Sequence, residues 1–197
     1  MTALAISNVV LWIVVLVLLV VVFALTRQIG LLHERIAPAG ALMINRGLTV
    51  GQAAPVVEVV DLNGQPLSVG AERADGLSTL ILFLSPTCPV CESLLPALKS
   101  SRKDERKWLQ IVLASDGEAA AHREFVRSHG LAEFPYVVSA PLGMTYQVSR
   151  LPFAALLDSA GRLRARGLVN SREHLESLFE AQRLGVASLQ EYFASRA

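Results

Sequence analysis

The apolar positions divide the chain in two. From Val9 to Leu25 almost every residue is aliphatic (VVLWIVVLVLLVVVFAL), and Ala3–Leu25 forms 23 residues without a charge. At about 1.5 Å per residue that run covers a bilayer core of about 30 Å. No polar face interrupts it, which argues against the core helix of a soluble domain. A cleaved leader fits less well, because no basic stretch precedes the run and it exceeds the usual ~7–15 apolar residues. The small-x-small segment Ala37-Pro38-Ala39 also lies far downstream. Residues 3–25 therefore read as a single-pass anchor, with Trp12 near one interface and Arg27 at the other.

Residues 26–50 mix polar and apolar positions around Gly30, Pro38, Gly40 and Gly47, as expected of a helix tail and a juxtamembrane linker. From Gly51 to about residue 195 the periodicity alternates. Val56–Val60 reads as a strand, followed by an Asn63-Gly64 turn. Thr79–Leu84 and Trp108–Ala114 are continuous apolar runs, the mark of strands buried on both faces. A helix is predicted from Pro89 past Lys99, and another over Glu118–His129 with Gly130 closing it. Tyr136–Val138 is a short strand, Pro141 opens a helical turn, and Phe153–Leu157 and Arg162–Val169 form a hairpin around Asp158–Gly161. Asn170 and Glu173 form a capping-box pattern for a last helix that carries Leu175, Leu178 and Phe179. Strands separated by helices, then a hairpin and a helix, predict a three-layer α/β domain with a mixed central sheet.

Composition narrows the function. With 18 Lys+Arg against 17 Asp+Glu, the 197-residue chain has neither a basic footprint for nucleic acid nor an acidic tail. Two cysteines are too few for a disulfide-stapled scaffold or a four-thiolate zinc site. His33, His122, His129 and His174 do not cluster with them in sequence; the last three read as solvated helix residues and His33 as a linker residue. A domain of about 145 residues folds without staples, so neither cysteine is needed for stability.

The chemistry concentrates in Ser85-Pro86-Thr87-Cys88-Pro89-Val90-Cys91, where a buried strand gives way to a helix. Two cysteines separated by two residues lie within disulfide reach there. The unpaired N–H groups of the first turn and the helix dipole favour the Cys88 thiolate, lowering its pKa. Cys91, one turn further in, is expected to be buried and to resolve the mixed disulfide. Pro89 suits the first helical position, where its missing N–H costs nothing. A purely structural bridge is the rival reading, yet so small a ring contributes little loop-closure stabilisation.

Strand, CPVC and helix together resemble the thioredoxin superfamily. Pro96 resembles the proline that kinks its active-site helix. Arg150-Leu151-Pro152-Phe153 resembles the segment that holds its cis-proline, in preference to Phe134-Pro135. The resemblance implies that Leu151 and Pro152, with Pro89 and Val90, meet the substrate backbone, that Cys88 and Cys91 are the catalytic pair, and that no cofactor or metal is needed beyond their disulfide. Gly51-Gln52-Ala53-Ala54-Pro55 and Asp61-Leu62-Asn63-Gly64 resemble the opening of the redoxin and TlpA-like branch. Taken with the anchor, SPTCPVC, RLPFAALLD and RGLVNSREHLESLFE, the whole chain resembles the MauD family, accessory proteins encoded with methylamine dehydrogenase. That family implies a role in maturing the disulfide-rich small (β) subunit of methylamine dehydrogenase, with the membrane protein MauE as a redox partner. Two departures from general thioredoxins stand out. Thr87 replaces the usual aromatic residue, and the buried acid–lysine pair has no assignable position, since Glu58 and Glu92 read as solvated. A peroxidatic motif is absent, because its threonine would stand three positions before Cys88.

Arg27, Arg35 and Arg46 flank the downstream end of the anchor and by charge bias favour a cytoplasmic domain. Protein disulfides persist outside the cytoplasm, however, which favours a domain facing the periplasm from the inner membrane. The expected function is a membrane-anchored thiol–disulfide oxidoreductase. The alternatives are a TlpA-like reductant for cytochrome c or copper-site maturation, and a non-catalytic chaperone of the exported subunit.

Overall fold

The computed structural model describes residues 2–35 and 48–184. The chain forms two compact units, Met1–Arg46 and Gly47–Ala197. In the first, helix α1 runs from Thr2 to Arg35. Its Ile6–Phe23 stretch is exposed throughout, and by length and composition it is apolar enough to cross a bilayer. The helix continues past Leu25 through TRQIGLLHER, so the stretch read as a linker begins helical. No proline stands before Pro38 to stop it. Residues 36–47 of that linker, and residues 185–195 of the expected domain, lie outside the described residues.

The second unit begins with a hairpin, β1 (Val57–Val60) and β2 (Pro66–Val69). The Asp61 carboxylate accepts from the backbone N–H groups of Asn63 and Gln65, both at 2.8 Å, and shapes the intervening turn. β2 was not legible in the sequence: four residues opening on a proline form a strand only because β1 pairs with them. There follow β3 (Ser78–Phe83), α2 (Pro89–Glu105), β4 (Leu109–Ser115), α3 (Ala119–Ser128), β5 (Tyr136–Val138), α4 (Ala140–Thr145), β6 (Phe153–Leu157), β7 (Leu163–Leu168) and α5 (Arg172–Leu184).

Five strands form the central sheet in the order β5-β4-β3-β6-β7. β3, β4 and β5 are parallel, while β6 and β7 run antiparallel to their neighbours. The crossovers β3–α2–β4 and β4–α3–β5 step in the same direction across the sheet. Right-handed connections therefore put α2 and α3 on one face. α5 joins them, and Leu94, Leu98, Phe125, Leu175 and Phe179 pack with Leu80 and Leu82 of β3. On the other face, Val69 of the hairpin and Leu142 and Tyr146 of and after α4 pack with Ile81, Phe83 and Val112. All six residues of β3 are buried, as its unbroken apolar run requires.

Helix ends follow local chemistry. Gly130, at φ +58°, ends α3, and the Leu131 N–H reaches the Val126 carbonyl at 2.9 Å. The cap of α5 is Ser171, whose Oγ accepts from the His174 N–H at 3.4 Å. This corrects Asn170 by one position, because the helix starts at Arg172.

Candidate redox site

The site grows from the carboxyl end of β3, the central strand. Leu84 continues the ladder, its N–H bonded to the Ala114 carbonyl at 3.0 Å. Its own carbonyl accepts from the buried Ser115 hydroxyl at 2.7 Å. The chain then leaves the sheet in a turn closed by the Cys88 N–H on the Ser85 carbonyl, 3.1 Å, with the Ser85 and Thr87 hydroxyls 3.0 Å apart. Cys88 is the N-cap of α2 and Pro89 occupies the first turn. The Cys91 N–H donates to Cys88 Sγ at 3.2 Å, and the Glu92 N–H to the Cys88 carbonyl at 3.1 Å. Thus the sulfur stands where a capping oxygen normally does, facing the positive end of a 17-residue helix.

Cys88 and Cys91 are joined as a disulfide with Cα atoms 5.2 Å apart. The two sulfurs are not equivalent. Cys91 is 1% exposed and packs in the apolar core, whereas Cys88 is half-buried and Pro89 and Val90 are exposed. An incoming thiolate therefore reaches Cys88 and not Cys91. Pro96 lies inside α2, as expected.

Leu151–Pro152 is cis, the only cis peptide bond among the described residues. β3 and β6 pair antiparallel with Phe83 opposite Phe153, so Pro152 stands beside Leu84, at the base of the CPVC turn. Its carbonyl accepts from the Val169 N–H at 3.0 Å, tying it to the end of β7. Next to it, between α4 and the segment leading into β6, lies a cavity of about 370 Å³ floored by Phe83, Leu84 and Ala114. Met144 (70% exposed) and Leu151 (38% exposed) border it. Val90, in the CPVC turn, is likewise apolar and exposed.

The structure corrects the reading of two histidines as solvated. His122 is buried, because polar groups of two other elements satisfy both ring nitrogens: the Tyr136 hydroxyl at 2.9 Å and the Asp116 carbonyl at 2.7 Å. Burial pushes the Tyr136 phenol up to about 12. His129 is half-buried, stacked on Phe125 with ring centroids 4.4 Å apart and 3.1 Å from the Glu92 carboxylate. His174 is exposed, as expected. Ser115 and His122 escaped the sequence reading; the spacing of His122, Phe125 and His129 on one stripe of α3 was the available signal. Glu58 and Glu92 are exposed, and among the described residues no carboxylate or lysine is buried. The buried acid–lysine pair of general thioredoxins thus has no counterpart there. Serine, tyrosine and histidine form the polar network beneath the turn.

This arrangement suits thiol–disulfide exchange. Residues 50–178 match the AhpC/TSA family. The chain is 49% identical over 190 residues, 96% of its length and 94% of the relative's, to methylamine utilization protein MauD of Paracoccus denitrificans. It is 46% identical to the MauD of Methylobacillus flagellatus, covering 94% of this chain and 90% of that one. Among solved structures, it is similar to a secreted Mycobacterium tuberculosis disulfide oxidoreductase homologous to E. coli DsbE. That likeness has a TM-score of 0.52 at 20% identity, covers 64% of this chain and 95% of the other, and bears on the fold.

Proposed function

The chain belongs to the MauD family of methylamine utilization proteins, thioredoxin-like in fold, and from that premise we propose that it is a membrane-anchored thiol–disulfide oxidoreductase that matures the methylamine dehydrogenase small subunit in the periplasm. The observation that carries this reading is the asymmetry of the cysteine pair: Cys88 is half-buried at a helix N-cap, and Cys91 is sealed in the core. α1 is long and apolar enough to serve as the anchor, and the persistence of protein disulfides outside the cytoplasm supports the periplasmic side.

In the oxidising direction a client thiolate attacks Cys88 Sγ. The Cys88–Cys91 bond breaks and Cys91 leaves with the electron pair, taking up a proton. A second client thiolate then attacks the client sulfur of the mixed disulfide, and Cys88 departs as a thiolate that the Cys91 N–H and the helix terminus stabilise. The client gains one disulfide and the pair gains two electrons, which a membrane disulfide partner such as MauE removes. In isomerisation the reduced Cys88 attacks a wrong client disulfide and is displaced again, with no net electron flow. Two exposed apolar side chains, Val90 in the CPVC turn and Leu151 before the cis-proline, meet the client chain.

Replacing both cysteines by serine tests the reading in cells growing on methylamine. Loss of active dehydrogenase, with the variant still present in the membrane, is expected. Undiminished dehydrogenase would instead assign the chain to a chaperone whose disulfide is incidental.

A further inference from the structure

Cations gather at the end of the domain opposite Cys88. The three lysines of the whole chain, Lys99, Lys103 and Lys107, recur every fourth residue along α2 and just beyond it, with Arg102 and Arg106 between them. That spacing puts them on one side of the helix. Lys99, Arg102, Lys103 and Arg106 wall a groove of about 650 Å³, with Arg73 and Asp75 opposite. Five cations there face two carboxylates, Asp75 and Glu133, on a chain whose net charge is only +1. Arg73 is engaged by Asp75 and Gln110, and Arg102 by Glu133. Lys99 donates to the His129 carbonyl at 2.5 Å. Lys103 and Arg106, both exposed, have no acidic partner among the described residues.

A second observation concerns where the chain enters the domain. The Gly51 N–H bonds the Leu163 carbonyl at 2.6 Å and the Leu163 N–H bonds the Gln52 carbonyl at 2.9 Å, at the start of β7. The Arg73 N–H bonds the Ser159 carbonyl at 2.8 Å in the adjoining turn. β4 also starts at this end, and its Leu109 and Gln110 floor the groove. The polypeptide that carries the apolar helix thus joins the domain at its cationic end, about 24 Å of helix away from Cys88.

We propose that this groove docks on the anionic phospholipid headgroups of the bilayer that holds α1, leaving the CPVC turn facing away from the lipid toward its clients. Phosphate oxygens of headgroups supply the acceptors that Lys103 and Arg106 lack. Tethering presents that surface at high effective concentration. Each basic side chain near an anionic leaflet strengthens attraction about fivefold. The proposal rests on the anchoring part of the proposed function, and the two fail separately: resistance of the vesicle-bound full chain to alkaline carbonate scores the anchor, and the following footprint scores the docking.

The full chain in nanodiscs of phosphatidylcholine, alone or with about one third phosphatidylglycerol, is treated with a water-soluble amine-acylating ester, and each lysine is quantified by mass spectrometry. Acylation of Lys103 is expected to fall at least about fivefold in the anionic discs and to recover in about 0.5 M NaCl. Arg106→Glu, at an exposed site, is expected to bring it back within about twofold of the neutral-disc rate. Equal reactivity in both discs would overturn the proposal. So would equal protection in neutral discs by millimolar inorganic phosphate, which would make the groove a small-anion site, or protection that the Arg106→Glu variant retains.

Discussion

The backbone N–H of Cys91 points at Cys88 Sγ from 3.2 Å, so the buried member of the pair solvates the reactive one. This relationship exists because Cys88 is the N-cap of α2, so the N–H of the third helical residue, Cys91, points back at its side chain. After reduction the same donor faces a thiolate. Iodoacetamide is therefore expected to alkylate Cys88 at least about tenfold faster than Cys91 at neutral pH, as read by peptide mapping. Equal rates would mean that Cys91 is not sealed in the core.

The Ser115 hydroxyl fixes the Leu84 carbonyl, the last anchor of β3 before the CPVC turn. Ser115→Ala strips a buried acceptor of that bond. It is expected to cost about 1–2 kcal/mol, measured by denaturant unfolding of the oxidised protein. An unchanged unfolding midpoint would show that the bond contributes nothing.

Tyr136 sets a limit on the alkaline side. Burial raises its phenol from 10.0 to about 12, and Tyr146 is raised for the same reason. The folded state thus holds the phenolic proton more tightly than the unfolded chain does. This contribution is intact below pH 10 and is lost as pH rises from 10.0 toward about 12. Tyr136→Phe is expected to flatten part of that decline, at the cost of about 1–2 kcal/mol at neutral pH for the lost bond to His122. An identical pH slope in both proteins would contradict the burial argument.

Client recognition is expected to rest on exposed apolar side chains of the CPVC turn and of the cis-proline segment. Leu151→Glu places a charge on a side chain that is 38% exposed and not in the core. It should lower client oxidation about tenfold or more while leaving Cys88 alkylation within about twofold of normal. A parallel fall in both would mean that the substitution disturbs the cysteine pair itself.

Much of this was legible from the chain. β3 and β4 announced themselves because burial on both faces demands unbroken apolar runs, and CPVC at a strand-to-helix junction carries its chemistry in its spacing. The features that escaped are those whose cause lies in another element. His122 looks solvated amid AAAHREF, and only Tyr136 and the Asp116 carbonyl, brought up by β5 and the end of β4, make its burial tolerable. β2 exists through its partner β1. The cationic groove was hidden by a near-neutral total, although the four-residue spacing of Lys99, Lys103 and Lys107 stands in the sequence.

The central claim is that Cys88 exchanges disulfides with the methylamine dehydrogenase small subunit. Cys91→Ala removes the resolving thiol, so any adduct with Cys88 persists, and non-reducing electrophoresis of membranes from cells growing on methylamine displays it. The account predicts an adduct that reduction releases as the dehydrogenase small subunit and that Cys88→Ser abolishes. An adduct with an apocytochrome or copper-site protein instead, or no adduct while active dehydrogenase is still made, would contradict it.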